Sequence, residues 1–273
     1  MMSLSVRLPP PGAFAGCVRR KGSLQKPPLA AQEAKAMHRA EAGKPLIKFN
    51  HCKKSIYSFR VPRSCPLCRQ DVGLTKLEEA PVSIASPFTN GHQEKCSFLL
   101  RPTHGTFLRE YDGSSDLHVG ITNTNGVVYN YNQQGVQRDE AGWEQSLSVP
   151  LVQPGMFGLL DHWDKYLEDF SATEDWLPHR YEEDHHNCYS YTLTFINCVL
   201  VTESRAQLGK SEFTEKYVLP RTRLASKYIM LYRTIEARGF HAADRPDPDS
   251  SPPCRSSVLC VTTEGAGHSG HHP

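Results

Sequence analysis

The sequence predicts an α+β protein: an antiparallel sheet packed on a buried helix, with a small cysteine-knuckle module ahead of it. Three stretches carry that prediction. His185–Val201 opens with Asn187, a strong N-cap residue, and continues as a run that is apolar all round, the mark of a buried helix. Leu117–Tyr131 alternates Val119 and Ile121 with His118 and Gly120, turns at Asn125-Gly126, and returns as a second strand. Cys65-Pro66-Leu67-Cys68 is a CxxC turn, which aims two thiolates at one metal ion.

Taken in order, residues 1–43 are Pro- and Ala-rich, and no Asp or Glu precedes Glu33. A disordered basic extension is expected there. Residues 44–76 form the knuckle module. Cys52, thirteen residues before Cys65, is the obvious third ligand, and His51 stands beside it. The strand-like run Lys54–Val61 lies between the two halves, as in a zinc ribbon. Neighbouring residues share one metal only through an unusual backbone turn, so His92 and Cys96 are an alternative source for the fourth ligand. One structural Zn²⁺ is the expected cofactor; a reduced CxxC or a metal-free hairpin is the alternative. No cofactor is expected for catalysis.

Residues 77–240 form the main domain. Cys96–Leu100 and Gly105–Tyr111 read as strands, Asp112–Ser115 as a turn, Gly135–Glu144 as a loop and Ser146–Pro150 as a short strand. Leu159–Phe170 is an amphipathic helix with Leu160, Trp163, Leu167 and Phe170 on one face. A last helix within Thr214–Gly239 carries Leu224, Tyr228, Leu231, Tyr232 and Ile235 inward. Arg221, Arg223, Lys227 and Arg233 then make its solvated side, and Gly239 suits the C′ position. Residues 241–273 are Pro-, Ser- and Gly-rich, and a disordered tail is expected.

The 273 residues include nine cysteines, an odd number not spaced as a disulfide framework. Met1–Phe14 lacks the apolar core of a signal peptide. No apolar run reaches the ~18 residues of a membrane span. The expectation is an intracellular protein, cytoplasmic or nuclear, with reduced thiols. A net charge of +2 argues neither for nor against nucleic acid as a global partner. Lys48, Lys53, Lys54, Arg60 and Arg63, with Tyr57 and Phe59 between them, could serve a local one, but a protein substrate or partner is the expectation.

A cysteine at a helix N-terminus sits where free backbone N–H groups and the helix dipole favour the thiolate. His118 lies on a strand before a hairpin and Cys188 opens the helix, the order base then nucleophile. The residues His118-Val-Gly-Ile, Asn125-Gly-Val-Val-Tyr and His186-Asn-Cys, with Phe195, resemble the circularly permuted NlpC/P60-like branch of the papain-like fold. That branch includes the PPPDE peptidases and the lecithin:retinol acyltransferase-like proteins. Residues 43 to about 239 also resemble the makorin-2 opposite-strand family, from which no function carries over. The papain-like resemblance implies Cys188 as nucleophile and His118 as general base. It also implies Asn130, on the following strand, as the residue that orients the imidazole. Cys188 is followed by Tyr189-Ser-Tyr where the acyltransferase-like proteins have Glu-His-Phe. Thiol hydrolysis of an isopeptide or thioester is therefore expected ahead of lipid acyl transfer. An inactive interaction protein on the same fold is the competing expectation.

Overall fold

A computed structural model describes residues 44–73, 77, 79–152 and 156–245. The expected extension at 1–43, and residues 246–273 of the expected tail, lie outside the described residues.

The described chain is a mixed α+β structure with two antiparallel sheets. The first contains β1 (Leu46–His51), β2 (Lys54–Ser58), β3 (Val82–Ile84) and β9 (His241–Asp244), in the order β3-β1-β2-β9. The second contains β4 (Ser97–Pro102), β5 (Leu117–Thr122), β6 (Val128–Asn132), β7 (Gly135–Asp139) and β8 (Leu147–Pro150), in the order β7-β6-β5-β4-β8. Helix α1 (Phe157–Ser171), helix α2 (Cys188–Thr202) and helix α3 (Leu219–Arg238) complete the core, with a short helical turn and a π-type turn, Lys210–Val218, leading into α3. None of the described helices is long and apolar enough to cross a membrane.

One face of the second sheet and the three helices share the main core. Phe98, Leu100, Val119, Ile121, Tyr129 and Tyr131 meet Trp163 and Leu167 of α1, Tyr191 and Phe195 of α2, and Tyr228, Tyr232 and Ile235 of α3. Burying these aromatic rings is the largest favourable contribution, about 25 cal/mol for each Å² of apolar surface removed from water. The opposite face of the sheet holds a small second cluster, Leu99, Val128 and Trp143. Gly120 makes that cluster fit. A Cβ there would lie 2.7 Å from Val128 Cγ1 and 3.2 Å from the Trp143 ring.

The β5–β6 hairpin turns as expected. Gly126 adopts φ +82°, and Asn123 accepts from the N–H groups of Asn125 and Val127. Pairing between the two strands covers only Ile121 with Tyr129 and Thr122 with Val128. Beyond these two pairs the strands part, and α2 packs on both of them.

Four segments differ from the sequence expectation. Gly135–Asp139, expected within a loop, is strand β7. It is registered on β6 from Val128↔Asp139 to Asn132↔Gly135, because Gly135 at φ +90° turns the chain tightly back. Gly105–Tyr111 is a turn and not a strand. Gly105 is left-handed, and Glu110 accepts from the Thr106 N–H and hydroxyl, which curls the segment on itself. His241–Asp244, expected in the tail, pairs with β2 along its length. Leu224, expected inward, is 59% exposed, since the buried stripe of α3 centres on Ala225, Tyr228 and Tyr232.

Two arginines expected to be solvated are structural. The Arg221 guanidinium donates to the Ser148 carbonyl at 2.6 Å. Arg233 donates to the carbonyls of Phe107, Leu108, Arg109 and Tyr111, and so ties the curled 105–111 segment to α3. Arg223 and Lys227 are exposed as expected. Replacing Arg233 leaves four carbonyls without their donor. Arg233→Ala should therefore cost about 2 kcal/mol in urea unfolding, and Arg223→Ala nearly nothing.

Candidate functional site

The first sheet builds a compact ligand cluster. His51 ends β1, Cys52 and Lys53 form the two-residue turn, and Lys54 opens β2. Both turn residues are left-handed, with φ 54° and 58°. Such a turn ordinarily takes Asn or Gly; here each residue costs roughly 1 kcal/mol of backbone strain. This is the unusual turn that adjacent ligands require. The knuckle is set by Cys65 N–H donating to Gln70 O and Arg69 N–H donating to Cys65 O, with Arg69 at φ 67°. A separate apolar base, Phe49, Ile56, Cys65 and Val72, lies beneath it.

His51, Cys52, Cys65 and Cys68 bring one donor atom each to within 4.8 Å of one another. The sulfurs of Cys52 and Cys65 are 3.8 Å apart, and His51 Nδ1 is 3.6 Å from the Cys68 sulfur. A tetrahedral ion with bonds of about 2.3 Å to sulfur sets sulfurs about 3.8 Å apart. The cluster could hold a metal ion, and its three thiols and one imidazole suit a soft divalent one. Its thiols already crowd each other. The hydrogen bond to Cys68 pushes the Cys52 thiol up to about 12, while the same bond pulls Cys68 down. His92 and Cys96 take no part. His92 Nδ1 pairs with the Gly126 carbonyl at 2.8 Å, and Cys96 is buried in the main core.

Tyr57 and Phe59 each pack a ring against another element. Tyr57 lies against the His241 ring at 5.9 Å, and Phe59 against Tyr232 at 5.0 Å.

The second candidate site lies where β5 and β6 part. Asn187 caps α2 with a full capping box: its Oδ1 accepts from the N–H groups of Tyr189 and Ser190, and the Ser190 hydroxyl accepts from Asn187 N–H at 2.8 Å. Cys188 is thereby fixed as the first helical residue. Its sulfur faces the backbone N–H of Val119, which β6 does not take, together with the N–H groups of Tyr189 and of Cys188 itself. These contacts and the Lys210 ammonium favour the thiolate, but burial outweighs them and pushes the thiol above its ordinary value. The expectation that the helix start lowers this thiol is not met in the resting state; the desolvation penalty is the reason.

His118 is the residue before Val119. Its Nε2 pairs with Asn130 Oδ1 at 2.8 Å, so the sequence-predicted base and orienting residue do meet. Asn130 is 2% exposed, and its Nδ2 donates to Asp139 Oδ2 at 2.8 Å. The same carboxylate oxygen accepts from Trp143 Nε1 at 2.9 Å, and the Trp143 ring lies 5.8 Å from the His118 ring. Burial lowers the His118 imidazole, with a smaller upward pull from Asn130. Cys188 and His118 are each partly exposed. No hydrogen bond among the described residues joins the sulfur to the imidazole; the structure brings Cys188 to the backbone beside His118. His186 turns away, its Nε2 on the Asp175 carbonyl and its ring stacked on Trp176. Asp139 and Trp143 were missed by sequence reasoning. The signal that could have placed Asp139 on a strand was the turn at Asn132–Gly135, which sends the chain back along the strand before it.

The class these observations define is a two-sheet α+β protein with a four-ligand Cys/His cluster in one sheet and a His–Asn pair beside a helix-opening cysteine in the other. Profiles for the two parts of one family match the chain: DUF4796 N-terminal over residues 44–72 and DUF4796 C-terminal over residues 81–235. The chain is 73% identical over 217 residues to the human MKRN2 opposite strand protein, an alignment covering 80% of this chain and 97% of that relative. It belongs to that family. No solved structure matches it.

The strained turn offers a direct check. Lys53→Gly, which needs no left-handed penalty, should raise stability by about 0.5–1 kcal/mol without loss of the ligand cluster, read by thermal unfolding.

Proposed function

We propose that this protein is a cysteine hydrolase of isopeptide or thioester bonds, built on a permuted papain-like arrangement, and that its knuckle is a structural zinc site of the zinc-ribbon type. The observation that carries the first reading is the His118–Asn130 pair, 2.8 Å long and set beside the backbone that receives Cys188. Asn130 Oδ1 is an acceptor, so His118 Nε2 holds the proton and Nδ1 presents a lone pair. A partly exposed thiol at a capped helix start, beside the backbone that follows such a histidine, is the composition of a general-base nucleophile.

The resting pair is neutral. On substrate binding, the Cys188 proton passes to His118 Nδ1 as sulfur bonds to the carbonyl carbon. The backbone N–H of Cys188, at the start of the helix, receives the oxyanion. The imidazolium gives its proton to the departing nitrogen or sulfur as the scissile bond breaks. Water, losing its proton to the same imidazole, then displaces Cys188, whose sulfur takes that proton back as the carboxylic acid is released.

His51, Cys52, Cys65 and Cys68 would hold the zinc, which supplies cross-linking rather than catalysis. The left-handed Cys52–Lys53 turn supports this reading, because metal bonds repay strain that the small apolar base beneath does not. A protein substrate is the partner that fits an isopeptidase.

A second reading, a non-enzymatic interaction protein, is favoured by one observation: the raised Cys188 thiol. A thiol-directed acyl probe separates the two. Labelling at neutral pH should depend on Cys188 and fall at least tenfold in His118→Ala. Since the base must be neutral, and burial lowers its imidazole, labelling should rise through an apparent pKa below the ordinary histidine value. Labelling that survives in Cys188→Ala or is unchanged in His118→Ala removes the hydrolase. For the knuckle, metal-free protein should take up one equivalent of Zn²⁺ and gain about 4 kcal/mol at free zinc about 1,000-fold above Kd; Cys65→Ser should lose both.

A further inference from the structure

An asparagine amide is nearly symmetric in shape, so packing alone does not fix which end of Asn130 faces His118. The choice decides the chemistry of the imidazole. With oxygen toward the ring, Nε2 carries the proton and Nδ1 accepts. With the amino group toward the ring, Nε2 must accept and the proton moves to Nδ1, which leaves no lone pair there.

Asp139 breaks the tie. An ionised carboxylate only accepts, so the Asn130 amino group must face it. Its Oδ2 takes Asn130 Nδ2 at 2.8 Å and Trp143 Nε1 at 2.9 Å. The indole is donor-only and Trp143 is fully buried, so the carboxylate is held between two fixed donors. The fold supplies the alignment. Asn130 is opposite Gln137 on β7, and Asp139, two residues on, returns to the same face of the sheet. Arg101, opposite His118 on β4, places its guanidinium 4.8 Å over the Trp143 ring and closes the far side of the network.

We propose that Asp139 is a positioning residue that selects the tautomer of His118 by fixing the orientation of the Asn130 amide. Its consequence for reactivity rests on the hydrolase reading above; the tautomer itself does not.

The test uses the full chain with ¹⁵N-labelled histidine at neutral pH, with His118 assigned by its loss in His118→Gln. Multiple-bond ¹H–¹⁵N correlation reads the tautomer directly. The wild type should show the Nε2–H form. Asp139→Asn frees the Asn130 amide to turn and should shift His118 mostly to Nδ1–H. The exchange Asn130→Asp with Asp139→Asn restores an acceptor facing the ring and a donor behind it, so it should return the Nε2–H form. A purely structural role for Asp139 predicts no such rescue. Wild-type His118 in the Nδ1–H form overturns the proposal, as does an unchanged tautomer in Asp139→Asn. Should that single variant fail to fold, an Nδ1–H form in the double variant overturns it instead. Acyl-probe labelling of Cys188 is read in parallel and should fall about tenfold in Asp139→Asn. Tautomers that behave as described with no Cys188 labelling in the wild type would sink the hydrolase and leave the positioning role standing.

Discussion

The early parting of β5 and β6 is the constraint on which the candidate site depends. Full antiparallel pairing would commit the backbone of Val119 to the ladder and leave no place for a helix end. Pairing stops after Thr122–Val128 and Ile121–Tyr129, and the freed Val119 N–H turns to the sulfur that opens α2. The capping box then satisfies the neighbouring helix N–H groups internally, so the backbone of Cys188 is not needed to end the helix. Strand divergence thus leaves an opening in the β5–β6 ladder, and the capped start of α2 meets it.

That opening carries opposing electrostatic demands. The helix start and the Val119 amide stabilise negative charge on sulfur, whereas burial penalises it. Burial also lowers the imidazole. Both shifts favour the uncharged pair over an imidazolium–thiolate pair. A thiol of this kind is quiet toward stray oxidants and electrophiles, since the thiolate is the reactive form.

The sequence made local features legible and hid those that depend on distant partners. Asn187 as a cap, the Asn125-Gly126 turn, the CxxC turn and the C′ role of Gly239 each follow from one residue's own conformational preference. The His118–Asn130 contact followed from a resemblance, and the structure supplies its 2.8 Å geometry. Gly105–Tyr111 alternates like a strand, yet its backbone carbonyls are collected by Arg233 from more than a hundred residues away. Likewise, His-Ala-Ala-Asp at 241–244 has little strand character and pairs only because β2 offers an open edge. Asp139 was hidden for the same reason: its role belongs to two partners, Asn130 and Trp143, not to its own neighbourhood.

The knuckle sheet is joined to α3. Phe59, just past β2, rests on Tyr232 of α3, and the next residue of that helix, Arg233, grips the 107–111 turn. Strand β9 follows α3 directly and closes the knuckle sheet against β2. Under the ligand cluster lie four buried residues with Val61, Leu77, Phe240 and Ala242 packed on them, while Leu46 of the same sheet belongs to the main core. The return of α3 and β9 holds the knuckle sheet at its root, and its tip carries the Cys/His cluster that could hold a metal ion. Because β9 pairs with β2 from Lys54 to Tyr57, that strand is a structural part of the knuckle sheet despite lying nearly two hundred residues from it in sequence.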